Sequence, residues 1–222
     1  MKRFVVIGLG RFGSWVGRSL HRRGFDVIAI DSNGDLVDRW ATDVTRAVVG
    51  DATDVNVLRR AGVAEADAAI VSTGDDLAAS ILAILALKEL GVAHIVAKAA
   101  NTRAAQALDR FDVDEIVHPE REAAERLAYR LGSTSVLEYI PLGDAYSIQE
   151  LAVPDAWIGK SLRELDLRGT AGIQVVALYD LLSSEWETPP APDRVLTESV
   201  LAIVAGPTET LERLVSQARR EG

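Results

Sequence analysis

The chain has 222 residues, 26% of them charged and 48% hydrophobic, with a formal net charge of −9 and no cysteine. That composition suits one large or two modest globular domains, and it excludes disulfides, a thiolate nucleophile and zinc or iron–sulfur sites built on cysteine. The acidic balance leaves no basic footprint for nucleic acid, so no nucleic-acid partner is expected.

Met1-Lys2-Arg3 runs at once into the apolar Phe4-Val5-Val6-Ile7, which is too short for a signal peptide. The longest apolar stretch, Leu77 to Leu87, is too short to span a membrane, so a cytoplasmic protein is expected. Up to about residue 131, short apolar runs alternate with longer amphipathic ones. The runs are Phe4 to Ile7, Val27 to Ile30, Ala47 to Val49, Ala68 to Val71, Ile95 to Ala97 and Glu115 to Val117, with helices opening near Phe12, Gly34, Asp54, Asp76, Thr102 and Pro119. Continuously apolar strands in strict alternation with helices predict an α/β fold, a doubly wound parallel sheet with a ligand crevice at its switch point.

The helix from Asp76 to Leu90 is apolar nearly all round, which requires burial within its own domain or against a partner. After it, Pro119 suits the first helical position, and Glu120 and Glu122 sit where the helix dipole favours acids. The rhythm stops near Gly132, and residues 133–145 read as a linker with a turn at Pro141-Leu142-Gly143-Asp144. A small α+β domain is expected over 146–222. Its strands are Ser147 to Val153, Ile173 to Leu178 and Val200 to Val204, with a short helix near Leu162 to Leu165 and a last helix over Thr208 to Ala218. So small a core is marginal alone, which favours dimerisation.

Gly8-Leu9-Gly10-Arg11-Phe12-Gly13 is a G-x-G-x-x-G placed at a strand-to-helix turn. Gly8 permits the turn, Gly10 admits a pyrophosphate to the backbone, and Gly13 lets helix and strand pack closely. Asp31, eighteen residues beyond Gly13, ends the second strand beside Ser32, where a carboxylate accepts both ribose hydroxyls and repels a 2′-phosphate. Residues 1–132 thus read as a Rossmann-like nucleotide-binding domain for ATP, ADP or NAD. Arg11 is a cation at a helix N-terminus: either an exposed arginine carrying a small dipole penalty or a side chain that reaches a terminal phosphate. Further strand ends supply Asp51 and Ala52, Thr73, and Lys98, each serving the crevice or ordinary turn and cap chemistry. His118-Pro119-Glu120 is either an acidic cap or a cation site using Glu120.

Gly159-Lys160-Ser161 looks like the end of a phosphate loop, but Pro154 stands where its first glycine belongs and no long helix follows. Neither paired histidines nor a G-x-S-x-G occurs, so no catalytic apparatus is evident. A small NAD-dependent oxidoreductase remains the alternative class and needs an acid or base beside the nicotinamide end, for which no residue presents itself.

The whole chain resembles the regulator of potassium conductance family, in its soluble KtrA/TrkA type. The resemblance is carried by Phe4 to Gly13, Ile30-Asp31, Gly50-Asp51-Ala52-Thr53, Val96 to Ala99, Val117 to Glu120, Ile158 to Leu165 and Gly206. It implies a non-enzymatic gating subunit that forms a homo-oligomer, usually an octameric ring of dimers. The ring sits at the inner face of the membrane on a separate potassium-translocating subunit. It further implies response to ATP against ADP, or to NAD(H), with Arg11 meeting the terminal phosphate and Asp31 the ribose. A divalent or sodium cation at Glu120 follows, and in some members cyclic di-AMP in the C-terminal domain, here at Leu162 and Arg168. Glu198-Ser199 replaces the family's Gly-Asp turn before the last strand.

Overall fold

A computed structural model describes residues 1–132 and 135–218; Ser133 and Thr134 of the expected linker, and 219–222 of the expected second domain, lie outside the described residues. The chain divides into two compact units, Met1–Glu120 and Arg121–Gly222.

In the first unit, β1 (Arg3–Ile7), β2 (Asp26–Asp31), β3 (Arg46–Val49), β4 (Ala68–Val71), β5 (Ile95–Lys98) and β6 (Glu115–Val117) form one parallel sheet in the order β3-β2-β1-β4-β5-β6. Helices α1 (Arg11–Arg22), α2 (Gly34–Trp40), α3 (Val55–Ala61), α4 (Leu77–Glu89) and α5 (Thr102–Leu108) cover it, and α6 (Pro119–Gly132) follows β6. Alternation along β1 divides the core: Val5 and Ile7 pack with Leu58, Ile84 and Leu87 on one face, and Val6 packs with Leu9, Val37 and Val44 on the other. A strand buried on both sides has to be apolar at every position, which is why β1, β2 and β4 read as unbroken runs. Four helices begin where a short polar side chain accepts from the free N–H groups of the first turn, namely Asn33, Asp54, Asp76 and Asn101.

The apolar α4 divides its burial. Ala83, Ile84, Ala86 and Leu87 are buried, whereas Leu82 and Leu85 on its outer side remain 50% and 46% exposed.

In the second unit, β7 (Val136–Leu142), β8 (Tyr146–Ala152), β9 (Gln174–Asp180), β10 (Glu185–Glu187) and β11 (Val200–Pro207) make an antiparallel sheet ordered β10-β9-β11-β8-β7. One face packs beneath α7 (Leu162–Leu165), α8 (Leu167–Ala171) and α9 (Thr208–Ala218) around Trp157, Leu178, Leu196, Val204 and Leu211.

The structure differs from the sequence reading over 133–145, where the expected linker contains β7. Pro141 reads as a break, yet β7 is an edge strand, where a missing N–H costs no ladder bond. The division between the units also falls at the start of α6 instead of at Gly132. The later part of α6 belongs with the antiparallel sheet: Tyr129 stacks on Tyr139 at 3.9 Å and its hydroxyl accepts from the Gln149 amide at 2.8 Å. Burial pushes the Tyr129 phenol up to about 12, so it stays neutral there.

Candidate functional site

The carboxyl ends of β1, β2, β3 and β4 surround a cleft of about 320 Å³. Its form follows from the glycine turn. After β1 the chain turns through Gly8 at φ +90°, a left-handed conformation, and a Cβ there would strike the Ser72 carbonyl at the end of β4. A Cβ on Gly13 would strike the Gly8 carbonyl oxygen, so α1 lies closer to β1 than any side chain would allow. Gly10, the N-cap of α1, faces open space. The turn is pinned on both sides, because the Gly8 N–H donates to Ile30 O at 2.8 Å and the Ser72 N–H to Ile7 O at 2.7 Å.

Asp31 ties this turn to the next one. Its Oδ2 accepts the Leu9 N–H at 2.6 Å and its Oδ1 the Asn33 N–H at 2.8 Å. A carboxylate has about four lone-pair positions, so each oxygen retains acceptor capacity toward the cleft. Gly8, Gly10, Asp31, Ser32, Asp51, Ala52 and Thr73 all line this cleft, with Leu36 and Ala79 supplying apolar wall that the sequence reading did not single out. Asp51 accepts from the Thr53 N–H at 2.9 Å and hydroxyl at 2.7 Å, and these bonds hold its carboxyl below the usual range. The Thr73 hydroxyl lies 2.5 Å from Ser80 Oγ and 3.1 Å from Asp76 O, so it is already engaged at the start of α4.

Other expected residues lie elsewhere. Phe12 packs its ring into the core beside Val6 and Leu9, leaving its main chain as the part available at the helix N-terminus. Arg11 is exposed on the first turn of α1. Lys98 lines a second cavity, of about 230 Å³, with Gly74, Asn101 and Arg103. Its ammonium pairs with Glu120 Oε1 at 2.7 Å, and that bond, helped by the more distant charge of Arg11, holds the Glu120 carboxyl below the usual range. The cation expected at Glu120 therefore meets a carboxylate already paired with an ammonium, and among the described residues no cluster of three or more His, Cys, Asp or Glu side chains is placed to hold a metal.

In the second unit, Leu162 is partly buried against the core and Arg168 is exposed on α8. The apparent phosphate loop at Gly159-Lys160-Ser161 is a helix cap: Ser161 and Glu164 form a reciprocal capping box on the four-residue α7. The second cavity itself was missed from sequence. Asn101 and Arg103 have no motif spacing; they follow Lys98 in the β5-to-α5 segment, and the adjacency of β4 and β5 brings Gly74 beside them.

Residues 4–119 match the TrkA-N domain. The chain is 38% identical over 212 residues to Ktr system potassium uptake protein C of Bacillus subtilis (strain 168), covering 96% of this chain and 95% of that protein. It is 35% identical over 219 residues to Ktr system potassium uptake protein A of the same organism, with 97% and 96% covered. Among solved structures, the GsuK channel overlays 96% of this chain with a TM-score of 0.68 at 23% identity, a likeness of fold in which this chain spans only 38% of the channel chain. The structure of GsuK bound to ADP overlays 59% of this chain and 34% of its own, with a TM-score of 0.50 at 29% identity.

Proposed function

This chain belongs to the TrkA-N domain family and aligns nearly end to end with Ktr potassium uptake proteins, and from that premise we propose that it is the nucleotide-sensing regulatory subunit of a potassium uptake system and not an enzyme. The carrying observation is the cleft at the switch point between β1 and β4, with a glycine turn on one side and Asp31 on the other. Base and ribose occupy this cleft, Asp31 accepts the ribose hydroxyls, and the phosphates approach Gly10 and the N-terminus of α1. ADP and ATP are the ligands favoured, in keeping with the ADP bound by the GsuK relative; NAD or NADH is the alternative.

No helix among the described residues is long and apolar enough to cross a membrane. A cytoplasmic subunit docked on a separate membrane-embedded potassium-translocating subunit fits that, and dimers assembled into an octameric ring are its working form. A nucleotide gates such a ring only through its different affinity for two ring shapes. A cation at Glu120 would have to compete with Lys98, and cyclic di-AMP would sit between two copies of Arg168.

Titration of nucleotide-free protein with ATP, ADP, NAD and NADH, with the particle mass recorded in each state, tests the reading. Asp31→Asn is expected to lower affinity for every adenine nucleotide about tenfold or more, the loss of a charge-assisted bond. Arg11→Ala is expected to reduce the preference between ATP and ADP by about tenfold while leaving ADP affinity nearly unchanged. An Arg11→Ala protein with the wild-type preference removes the phosphate-reading role from that residue.

A further inference from the structure

We propose that the second cavity receives the end of the nucleotide's phosphate chain, with Arg103 as a countercharge that selects for it. The inference rests on the nucleotide reading of the main cleft. That cleft carries three carboxylates, Asp31, Asp51 and Asp76, and no lysine or arginine among its described lining residues. Carboxylates suit the hydroxyl and amino donors of a nucleoside and repel a polyphosphate. The adjoining cavity is lined by Lys98 and Arg103 with Asp75, and because Lys98 is already paired with Glu120, Arg103 is the cation there with no partner among the described residues. Gly74 lines both, so the two cavities adjoin at the loop after β4.

The groups in the second cavity are set to receive an anion. Arg103 is exposed and makes no hydrogen bond or ion pair among the described residues, although it sits in the first turn of α5, where a cation is disfavoured unless an anion lies close by. Asn101 spends its carbonyl on the Ala104 N–H at 2.9 Å, which leaves its NH₂ to donate. Lys98 keeps two donors after its bond to Glu120. Lys98 and Arg103 thus stand at the β5 end of the crevice, while Asp31 and Asp51 stand at its β2 and β3 ends. A ligand neutral or donor-rich at one end and anionic at the other is oriented by that field. A third phosphate fits this description better than a second nucleoside.

The test is calorimetric titration of the nucleotide-free full chain with AMP, ADP, ATP and NADH, for wild type, Arg103→Ala and Arg103→Lys. Arg103→Ala is expected to weaken ATP about tenfold or more and to leave AMP within about twofold, with Arg103→Lys restoring part of the loss. An unchanged ATP affinity overturns the proposal. An equal loss for AMP and ATP also overturns it, since the arginine would then act through the fold. A loss larger for NADH than for ATP gives the cavity to a second nucleoside instead. If wild type binds none of the four, the nucleotide reading fails first, before any variant is compared.

Discussion

Gly13→Ala is expected to destabilise the first unit by about 3 kcal/mol or more, the upper end of the cost of overpacking, and to abolish nucleotide binding with it. The added methyl group would fall on the Gly8 carbonyl oxygen. Neither partner can retreat: Gly8 is held by Ile30 and, through β1, by the Ser72 bond to Ile7, while Gly13 is buried on α1. Relief requires moving α1 off the sheet, which would open the core formed by Val6, Leu9 and Val37. The thermal midpoint should drop by about 10 °C or more. Gly10→Ala is the matched control, because its Cβ projects into open space and its backbone already suits alanine. It should cost under about 1 kcal/mol yet still weaken nucleotide binding, since the methyl stands where the phosphates approach. Equal midpoints for wild type and Gly13→Ala would show that the close packing of α1 on β1 is not required.

The first unit was legible in the sequence because each of its signals has one physical cause. A parallel sheet covered on both faces forces every strand position to be apolar, so the runs Val27 to Ile30 and Ala68 to Val71 name their own strands. The loops after β2, β3, β4 and β5 each end in Asn or Asp because a helix must start there and its free N–H groups need an acceptor. The glycine turn and Asp31 are readable from spacing because the chain between them is a fixed strand–helix–strand unit.

Where a position is set by tertiary arrangement, sequence gave less. Val136–Leu142 mixes Glu138 and Pro141 into an apolar run, and its register shifts between Val136 and Glu138, so its alternation is broken at the place a reader would look for it. The edge strand β10 is only three residues long, below the length at which a period can be seen. Lys98 was attributed to the same crevice as Asp31, yet it lines a neighbouring cavity whose arginine lies five residues further on. That Gly74, after β4, closes the same cavity depends on which strand ends lie side by side, a fact of topology that no local spacing encodes.

Leu85→Asp is expected to break the assembled particle while leaving the single chain folded. From Leu77 to Leu87 α4 carries no charged residue, yet only its inner side is buried within this chain, and Leu82 and Leu85 form an exposed stripe one turn apart. A helix apolar on its outer side is covered by something, and in a ring built from copies of this chain a second copy is the available cover. Burying the exposed half of one leucine contributes about 0.7–1.5 kcal/mol, and at a two-fold interface each substitution counts twice. The concentration needed for assembly should therefore rise by about tenfold or more, more still because a buried aspartate has no partner there. Within the single chain the same change removes a half-buried side chain, so its cost is the lost burial and helix propensity together, about 1.5–2 kcal/mol. Light scattering on the eluting particle at micromolar concentration should then report a smaller mass for Leu85→Asp than for wild type, with a thermal midpoint moved by only a few degrees. A mass equal to wild type would mean that α4 does not hold the ring together, and the assembling surface would have to be sought in the second unit, where Ile140, Leu142 and Tyr146 are also exposed.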